Sequence, residues 1–150
     1  MRKSIRLKNY NYTANGYYFV TICTAMKKPF LLQFRKEAEE VLKKLPFKFQ
    51  GLSIDHYTIM QDHLHIIFIF NEAKKSLGEI VRSYKALVTK VSGIKPFWEW
   101  NYYEHVIRNE NALYEIRKYI QENPEQEKID LEQIYSRINP TATHKRTKIL

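Results

Sequence analysis

Four stretches of the chain show the dense or alternating apolar pattern that is typical of β-strands. They are residues 17–24, 52–60, 63–70 and 97–108. The first is rich in aromatic and β-branched residues and follows the turn Asn15-Gly16. The third is apolar on both of its faces, which predicts a central strand that is covered on both sides. Gln61-Asp62 is the predicted turn between the second strand and the third.

Two further stretches repeat apolar residues at the spacing of an amphipathic helix. The first covers residues 35–45, and we expect Pro46 to end it because proline lacks the N–H that a helix needs. The second begins at Ser76, which forms the sequence pattern of a capping box with Glu79. Gly93 stands where a C-cap glycine ends such a helix.

A third helix closes the patterned part of the chain, with Asn109 as its cap and Pro124 as its end. The order strand, helix, strand, strand, helix, strand is that of the ferredoxin-like split β-α-β arrangement. The sequence therefore predicts an α+β fold, in which helices pack on an antiparallel sheet and an extra C-terminal helix follows. We expect this domain to span residues 1–124 and residues 125–150 to form a basic tail.

The composition fits one globular domain of 150 residues, with 44% hydrophobic and 27% charged residues, and excludes wholesale disorder. The longest strongly apolar run, residues 64–70, is far shorter than the roughly 20 residues of a membrane-spanning helix, so we expect no membrane partner. Cys23 is the only cysteine. An intrachain disulfide and a cysteine metal cage are therefore excluded, and we expect a reducing, cytoplasmic location.

Basic residues are concentrated at the two ends of the chain, and the net charge is +9. Residues 1–36 contain eight basic side chains and no acid, and residues 133–150 contain four and no acid. Basic ends on a nearly neutral middle favour a polyanionic partner such as nucleic acid. The alternative is a solvated surface that keeps the protein soluble.

Two pairs of residues have a spacing that favours chemistry. His63 and His65 are two apart on a predicted strand, so their imidazoles project from the same face and can hold a divalent cation. Tyr119 and Asn123 are four apart on the third predicted helix and lie on one side of it. The alternatives are an incidental histidine pair and a helix end that hydrogen bonds hold in place.

Four stretches resemble one family, the single-tyrosine HUH transposases, and among them the REP-associated tyrosine transposases. Residues 57–70 (YTIMQDHLHIIFIF) resemble the histidine–hydrophobic–histidine strand of that family, and residues 16–24 (GYYFVTICT) resemble its first strand. Residues 98–109 (WEWNYYEHVIRN) and 117–124 (RKYIQENP) are similar to its last strand and its tyrosine helix. The four motifs occur in the family's order.

The resemblance implies a DNA transposase that cleaves and rejoins single-stranded DNA near hairpins through a 5′-phosphotyrosine intermediate. It implies His63, His65 and Asn123 as ligands of Mg²⁺ or Mn²⁺, Tyr119 as the nucleophile, and single-stranded or hairpin DNA as the partner of a monomer or homodimer. The family usually has Pro-Asn where this chain has Gln61-Asp62. Asp62 either tightens metal binding or indicates a divergent protein that has lost its activity.

The expected DNA contacts are phosphate contacts from Arg6, Lys8, Arg82, Lys85 and Arg108 and base stacking on Trp98 and Trp100. For Lys85 the alternative is solubility, and for the tryptophans it is a place in the core. Two other functions stay open: a non-catalytic nucleic-acid-binding ferredoxin-like module, and a domesticated regulator that keeps only DNA binding. Metal-dependent cleavage that leaves protein on the 5′ end separates the transposase from both.

Overall fold

A four-stranded antiparallel sheet is the framework of the computed structural model, which describes residues 11–122. Its strands are β1 (Gly16–Cys23), β2 (Leu52–Ile59), β3 (His63–Phe70) and β4 (Tyr103–Ile107). They lie in the order β2-β3-β1-β4, which is the strand order of a split β-α-β sheet. The predicted α+β, ferredoxin-like fold class is therefore confirmed.

Four helices surround the sheet: α1 (Phe30–Gln33), α2 (Arg35–Lys48), α3 (Leu77–Ser92) and α4 (Glu110–Glu122). The short helix α1 was not predicted, because four residues are too few to show a helical period. The capping box of Ser76 and Glu79 is present at the start of α3, and Gly93 ends that helix with a φ of 74°. Within residues 11–122, no helix has both the length and the apolar character needed to cross a membrane.

Two element boundaries differ from the prediction. Helix α2 continues through Pro46 to Lys48, because the proline removes only one donor close to the helix end and the Phe49 N–H still reaches the Leu45 carbonyl at 2.9 Å. Strand β4 begins at Tyr103 rather than at residue 97. The preceding segment makes a single bridge to the sheet among the described residues, at Trp98, and the side chains of Phe97 and Trp98 are buried in the core.

The two faces of β3 belong to different layers. Leu64, Ile66 and Phe68 are fully buried in the large core that the sheet forms with α2 and α3. The alternate residues, including His63 and His65, therefore lie on the opposite face, because successive side chains of a strand alternate. The two-residue turn Gln61-Asp62 is confirmed, since the Met60 N–H donates to the His63 carbonyl at 2.8 Å across it.

Helix α4 covers part of this opposite face. Its N-terminus is capped by the side chain of Asn109, whose Oδ1 accepts from the Ala112 N–H at 2.8 Å. The helix and three strands form a small second core of buried residues: Phe19, Ile67, Ile107, Ala112, Ile116 and Ile120. Because these contacts come from β1, β3 and β4, the helix crosses the sheet instead of following one strand.

A bidentate ion pair fastens α4 to the far edge strand. Arg117 donates to both carboxylate oxygens of Asp55 on β2, at 2.7 and 2.8 Å, and its guanidinium lies over the Tyr17 ring. Burial by itself raises the pKa of Asp55, but hydrogen bonds from Arg117 and His56 hold that pKa below its usual range. The pair therefore stabilises the fold above the unfolded-state pKa of about 3.9, and this contribution is lost as the pH falls through the lowered value.

We expect Arg117→Met to lower the free energy of unfolding by about 1.5 kcal/mol, because hydrogen bonds to a partly buried charge contribute more than an exposed ion pair does. Chemical denaturation of Arg117→Met, Asp55→Asn and the double variant measures the coupling energy between the two side chains. Lys118→Met is the matched control, because it removes a charge from the exposed neighbour on the same helix. An equal loss in Lys118→Met would contradict the role of the pair.

Candidate functional site

The two histidines of β3 form a buried pair. His63 and His65 are 3% and 4% exposed, and their ring centroids are 4.9 Å apart with the rings at 69° to each other. The central position of β3, between β2 and β1, makes the backbone that carries them rigid. The predicted placement of both imidazoles on one sheet face is therefore present in the structure.

Each imidazole is held through its Nδ1 atom. Nδ1 of His63 lies 2.7 Å from Oδ1 of Asp62, and a carboxylate only accepts, so this nitrogen carries a proton; in the neutral ring the lone pair is then on Nε2. Nδ1 of His65 lies 2.8 Å from Oγ1 of Thr21, a hydroxyl that can accept a hydrogen bond from this nitrogen or donate one to it. Both Nε2 atoms are buried and have no hydrogen-bond partner among residues 11–122.

Two buried imidazole nitrogens without partners can supply two of the ligands of a divalent cation. Burial, with a smaller effect of the neighbouring His63 ring, lowers the pKa of His65 to about 3, so this imidazole is neutral at physiological pH. Neutral imidazoles whose other nitrogen is hydrogen-bonded are the usual histidine ligands of metals. In the described range, no third histidine, cysteine or carboxylate completes a metal-binding cluster with the pair.

Cys23 lies opposite His63 in the pairing of β1 with β3, but it is a poor candidate ligand. Burial first, and Glu99 second, raise the pKa of its thiol to about 11, so it stays protonated at neutral pH. A metal ligand would be the thiolate. Cys23 is therefore a small buried residue of the sheet.

Helix α4 brings Tyr119 to the histidine face of the sheet. Tyr119 is half-buried and packs against the small core that contains Phe19. The ring of His65 stacks on Phe19, with 5.4 Å between the ring centroids. The predicted nucleophile and the histidine pair therefore border the same apolar cluster. Tyr114, on the same helix, is 62% exposed.

Several predicted site residues lie outside the described residues. They are Arg6 and Lys8, expected to contact phosphates, and Asn123, expected as the amide ligand. The proposed boundary after residue 124 and the proposed tail, residues 125–150, also lie outside. The roles assigned to them stay predictions.

The predicted phosphate-binding residues that the structure describes differ in how they are used. Arg82 on α3 and Arg108 after β4 are exposed. Lys85 is half-buried, and its ammonium donates to the carbonyl oxygens of three successive residues, Glu99, Trp100 and Asn101, at 2.9, 3.3 and 3.1 Å. Lys85 therefore supports the loop before β4, and this position does not favour the phosphate contact predicted for it.

The two tryptophans occupy opposite environments. Trp98 is 7% exposed, packs against Tyr84 and Phe97, and donates from Nε1 to the Lys85 carbonyl at 3.2 Å. Its ring belongs to the core, so the stacking on DNA predicted for Trp98 is corrected to a packing role. Trp100, two residues later, is 58% exposed, and the stacking predicted for it stays a prediction.

Two residues of this region were missed by the sequence reasoning. Thr21 binds His65 from 44 positions away, and Arg117 binds Asp55 across 62 positions. Only the strand register and the path of α4 bring these residues together. A polar residue in the otherwise apolar strand β1 was the one available signal for Thr21.

No protein-family model matches the chain. An uncharacterised protein of Haemophilus influenzae is 35% identical in an alignment of 158 positions. The alignment covers 82% of this chain and 88% of that protein. The REP-associated tyrosine transposase of Escherichia coli K12 is 25% identical over 118 residues, which cover 75% of this chain and 68% of that protein. A REP-associated tyrosine transposase bound to a REP hairpin has a structure similar to this chain, with a TM-score of 0.70 and 22% identity over 79% of this chain and 72% of that one.

Proposed function

We propose that the chain is a REP-associated tyrosine transposase, as its similarity to that transposase of Escherichia coli supports, and that it cleaves and rejoins single-stranded DNA beside hairpins. The proposal rests on one observation. The buried Nε2 atoms of His63 and His65 lie on the face of the sheet on which helix α4, with Tyr119, packs. The structural relative is bound to a REP hairpin, which supports hairpin DNA as the partner.

In this proposal, His63 and His65 hold a divalent cation through Nε2, and the amide of Asn123 is the third protein ligand. Mg²⁺ or Mn²⁺ held by these residues would polarise the scissile phosphate and offset the charge that develops on the departing 3′ oxygen. Asp62 and Thr21 hold the Nδ1 atoms, so that each ring keeps its orientation without a bound ion. Asp62 thus acts as an orienting acceptor for His63, which is a role that the asparagine of the family can also fill.

Tyr119 supplies the nucleophile. Its phenolic oxygen forms a bond to phosphorus while the bond from phosphorus to the 3′ oxygen breaks. The phenol loses its proton and the 3′ oxygen gains one, which gives a 5′-phosphotyrosine and a free 3′-OH. Attack of a 3′-OH on the phosphotyrosine reverses these changes and reseals the strand, so no nucleotide cofactor is required. A phenol with a reference pKa near 10 needs local activation to react at neutral pH.

We expect the double variant His63→Ala, His65→Ala to lose Mn²⁺ binding in calorimetric titration, because it removes both buried donor atoms. His56→Ala is the matched control: it removes a histidine on the neighbouring strand whose Nδ1 is bound to Asp55 at 2.6 Å. Circular dichroism checks that each variant is folded. Equal Mn²⁺ binding by the double variant and the unaltered protein would exclude this site.

We expect Asp62→Ala to weaken Mn²⁺ binding by about 10–100-fold, which is the usual effect of removing the partner that orients a metal-binding histidine. Asp62→Asn keeps an oxygen that accepts from Nδ1 of His63, so it should retain most of the affinity. The same titration compares the two variants. If Asp62→Ala binds Mn²⁺ as tightly as the unaltered protein, Asp62 does not position His63.

We expect Tyr119→Phe to abolish cleavage and the covalent protein–DNA adduct, while DNA binding and Mn²⁺ binding stay nearly unchanged. Phenylalanine keeps the ring that packs against the small core and removes only the hydroxyl. A labelled hairpin oligonucleotide, incubated with Mg²⁺ or Mn²⁺ and run on a denaturing gel, detects the adduct as a shifted band.

Tyr114→Phe is the matched control for this experiment, because it removes the hydroxyl of an exposed tyrosine on the same helix. It should form the adduct at the unaltered rate. An adduct in Tyr119→Phe would place the nucleophile elsewhere. The absence of any adduct with the unaltered protein on every hairpin tested would favour the non-catalytic DNA-binding module.

A further inference from the structure

The edge strand β2 contains a β-bulge at the point where it meets helix α4. The pairs on either side of the bulge are Ile54 with Phe68 and His56 with Ile67. Asp55 lies between these pairs as the additional residue of β2. A bulge interrupts the alternation of a strand and can re-aim one side chain. Here the carboxylate of Asp55 is directed to α4, where Arg117 binds both of its oxygens.

Arg117 and Tyr119 lie on opposite flanks of the buried side of α4. Ile116 and Ile120 are buried beneath the helix in the small second core. Successive residues of an α-helix are turned by about 100°, so Arg117 lies about 80° to one side of this buried pair and Tyr119 about 80° to the other. Any rotation of the helix about its own axis that moves the first side chain therefore moves the second as well.

The ion pair constrains this rotation more sharply than the apolar contacts do, because hydrophobic burial depends on area and has no preferred direction. The bond between Arg117 and Asp55 is directional, since a planar guanidinium donates through two N–H groups to a planar carboxylate, at 2.7 and 2.8 Å. The side chain of Asp55 is only 11% exposed and also contacts Nδ1 of His56 at 2.6 Å, so the acceptor is itself held in place. The ion pair therefore sets the angle at which α4 lies on the sheet.

The reaction assigned to Tyr119 requires an accurate position. Tyr119 packs against the small core that contains Phe19, on which the ring of His65 stacks. A displacement of about 1 Å between reacting groups can cost about 100-fold in rate, even when its origin lies far from the chemistry. A change in the rotation of α4 is a displacement of this kind.

We propose that Asp55 and Arg117 are positioning residues for the nucleophile. The bulge of β2 and the bidentate ion pair set the rotation of α4, and this rotation holds Tyr119 at the histidine face of the sheet. The inference rests on the proposed function, in which Tyr119 attacks the DNA. It adds a second role to a pair that also stabilises the fold. A stabilising pair changes the fraction of protein that is folded, whereas a positioning pair changes the rate of the folded protein.

The first test measures the rate of adduct formation at saturating hairpin DNA and Mn²⁺, under conditions in which circular dichroism shows each variant to be folded. We expect Arg117→Met and Asp55→Asn each to lower this rate by about 100-fold, the effect of a displaced nucleophile, while Mn²⁺ affinity stays unchanged. The double variant should be no slower than either single variant, because both substitutions remove the same contact.

Three further variants separate positioning from stability and from charge. Ile80→Val shortens a fully buried side chain of α3 on the other face of the sheet and costs a comparable amount of stability, so its rate should match that of the unaltered protein. Lys118→Met removes an exposed cation from α4 and should also leave the rate unchanged. Arg117→Lys keeps the charge and loses the bidentate geometry, so this variant should stay slow.

A second measurement follows the position of the tyrosine without using activity. With 3-fluorotyrosine in place of Tyr119, the ¹⁹F resonance reports the surroundings of the ring. We expect this resonance to shift or broaden in Arg117→Met and in Asp55→Asn. It should keep its position in Ile80→Val and in Lys118→Met.

The inference is overturned if Arg117→Met and Asp55→Asn form the adduct at the unaltered rate, or if Arg117→Lys restores that rate in full. It is also overturned if Ile80→Val is slowed as much as they are, or if the ¹⁹F resonance is the same in every variant. Unaltered rates in the two variants would leave the proposed function intact. A protein that forms no adduct would instead contradict the proposed function, and the ¹⁹F resonance would still decide whether the pair positions Tyr119.

Discussion

The pairing register of β1 with β3 is the constraint on which the rest of the structure depends. Thr21 pairs with His65 and Cys23 with His63, and this alignment sends Leu64 and Ile66 into the large core. A shift of one residue would turn every side chain of β3 to the other face and place the imidazoles in that core. Because the apolar residues of β3 are fully buried, they determine the register, and the register determines where the histidines lie.

Features that depend on neighbouring residues could be predicted from the sequence. The alternation of residues 63–70 indicated a central strand and put His63 and His65 on one face, as the structure shows. The ends of α3 were predicted because a capping box and a C-cap glycine act within one turn of the helix. The strand order followed from the order of elements, since few topologies connect such a sequence of helices and strands.

The remaining features depend on residues that are distant in the sequence. Thr21 meets His65 only through the strand register, and Arg117 reaches Asp55 only because α4 crosses the sheet. The residue type also did not indicate which of Trp98 and Trp100 is buried, because an indole ring with one polar N–H fits either a core or a surface. The structure separates them: Trp98 is buried in the core, whereas Trp100 lies in the loop whose three successive carbonyls bind Lys85.

Polar side chains serve different purposes on the two faces of the sheet. On the α3 side, the ammonium of the half-buried Lys85 and the indole N–H of Trp98 bind backbone carbonyls, so they stabilise the fold. On the α4 side, the Nε2 atoms of His63 and His65 have no partner within residues 11–122. Each such buried atom costs about 1–3 kcal/mol of folding free energy.

A fold retains such a loss of folding free energy where the binding of a ligand to the unpartnered atoms offsets it. The contacts with Asp62 and Thr21 hold the two rings, so the unpartnered nitrogens stay in place.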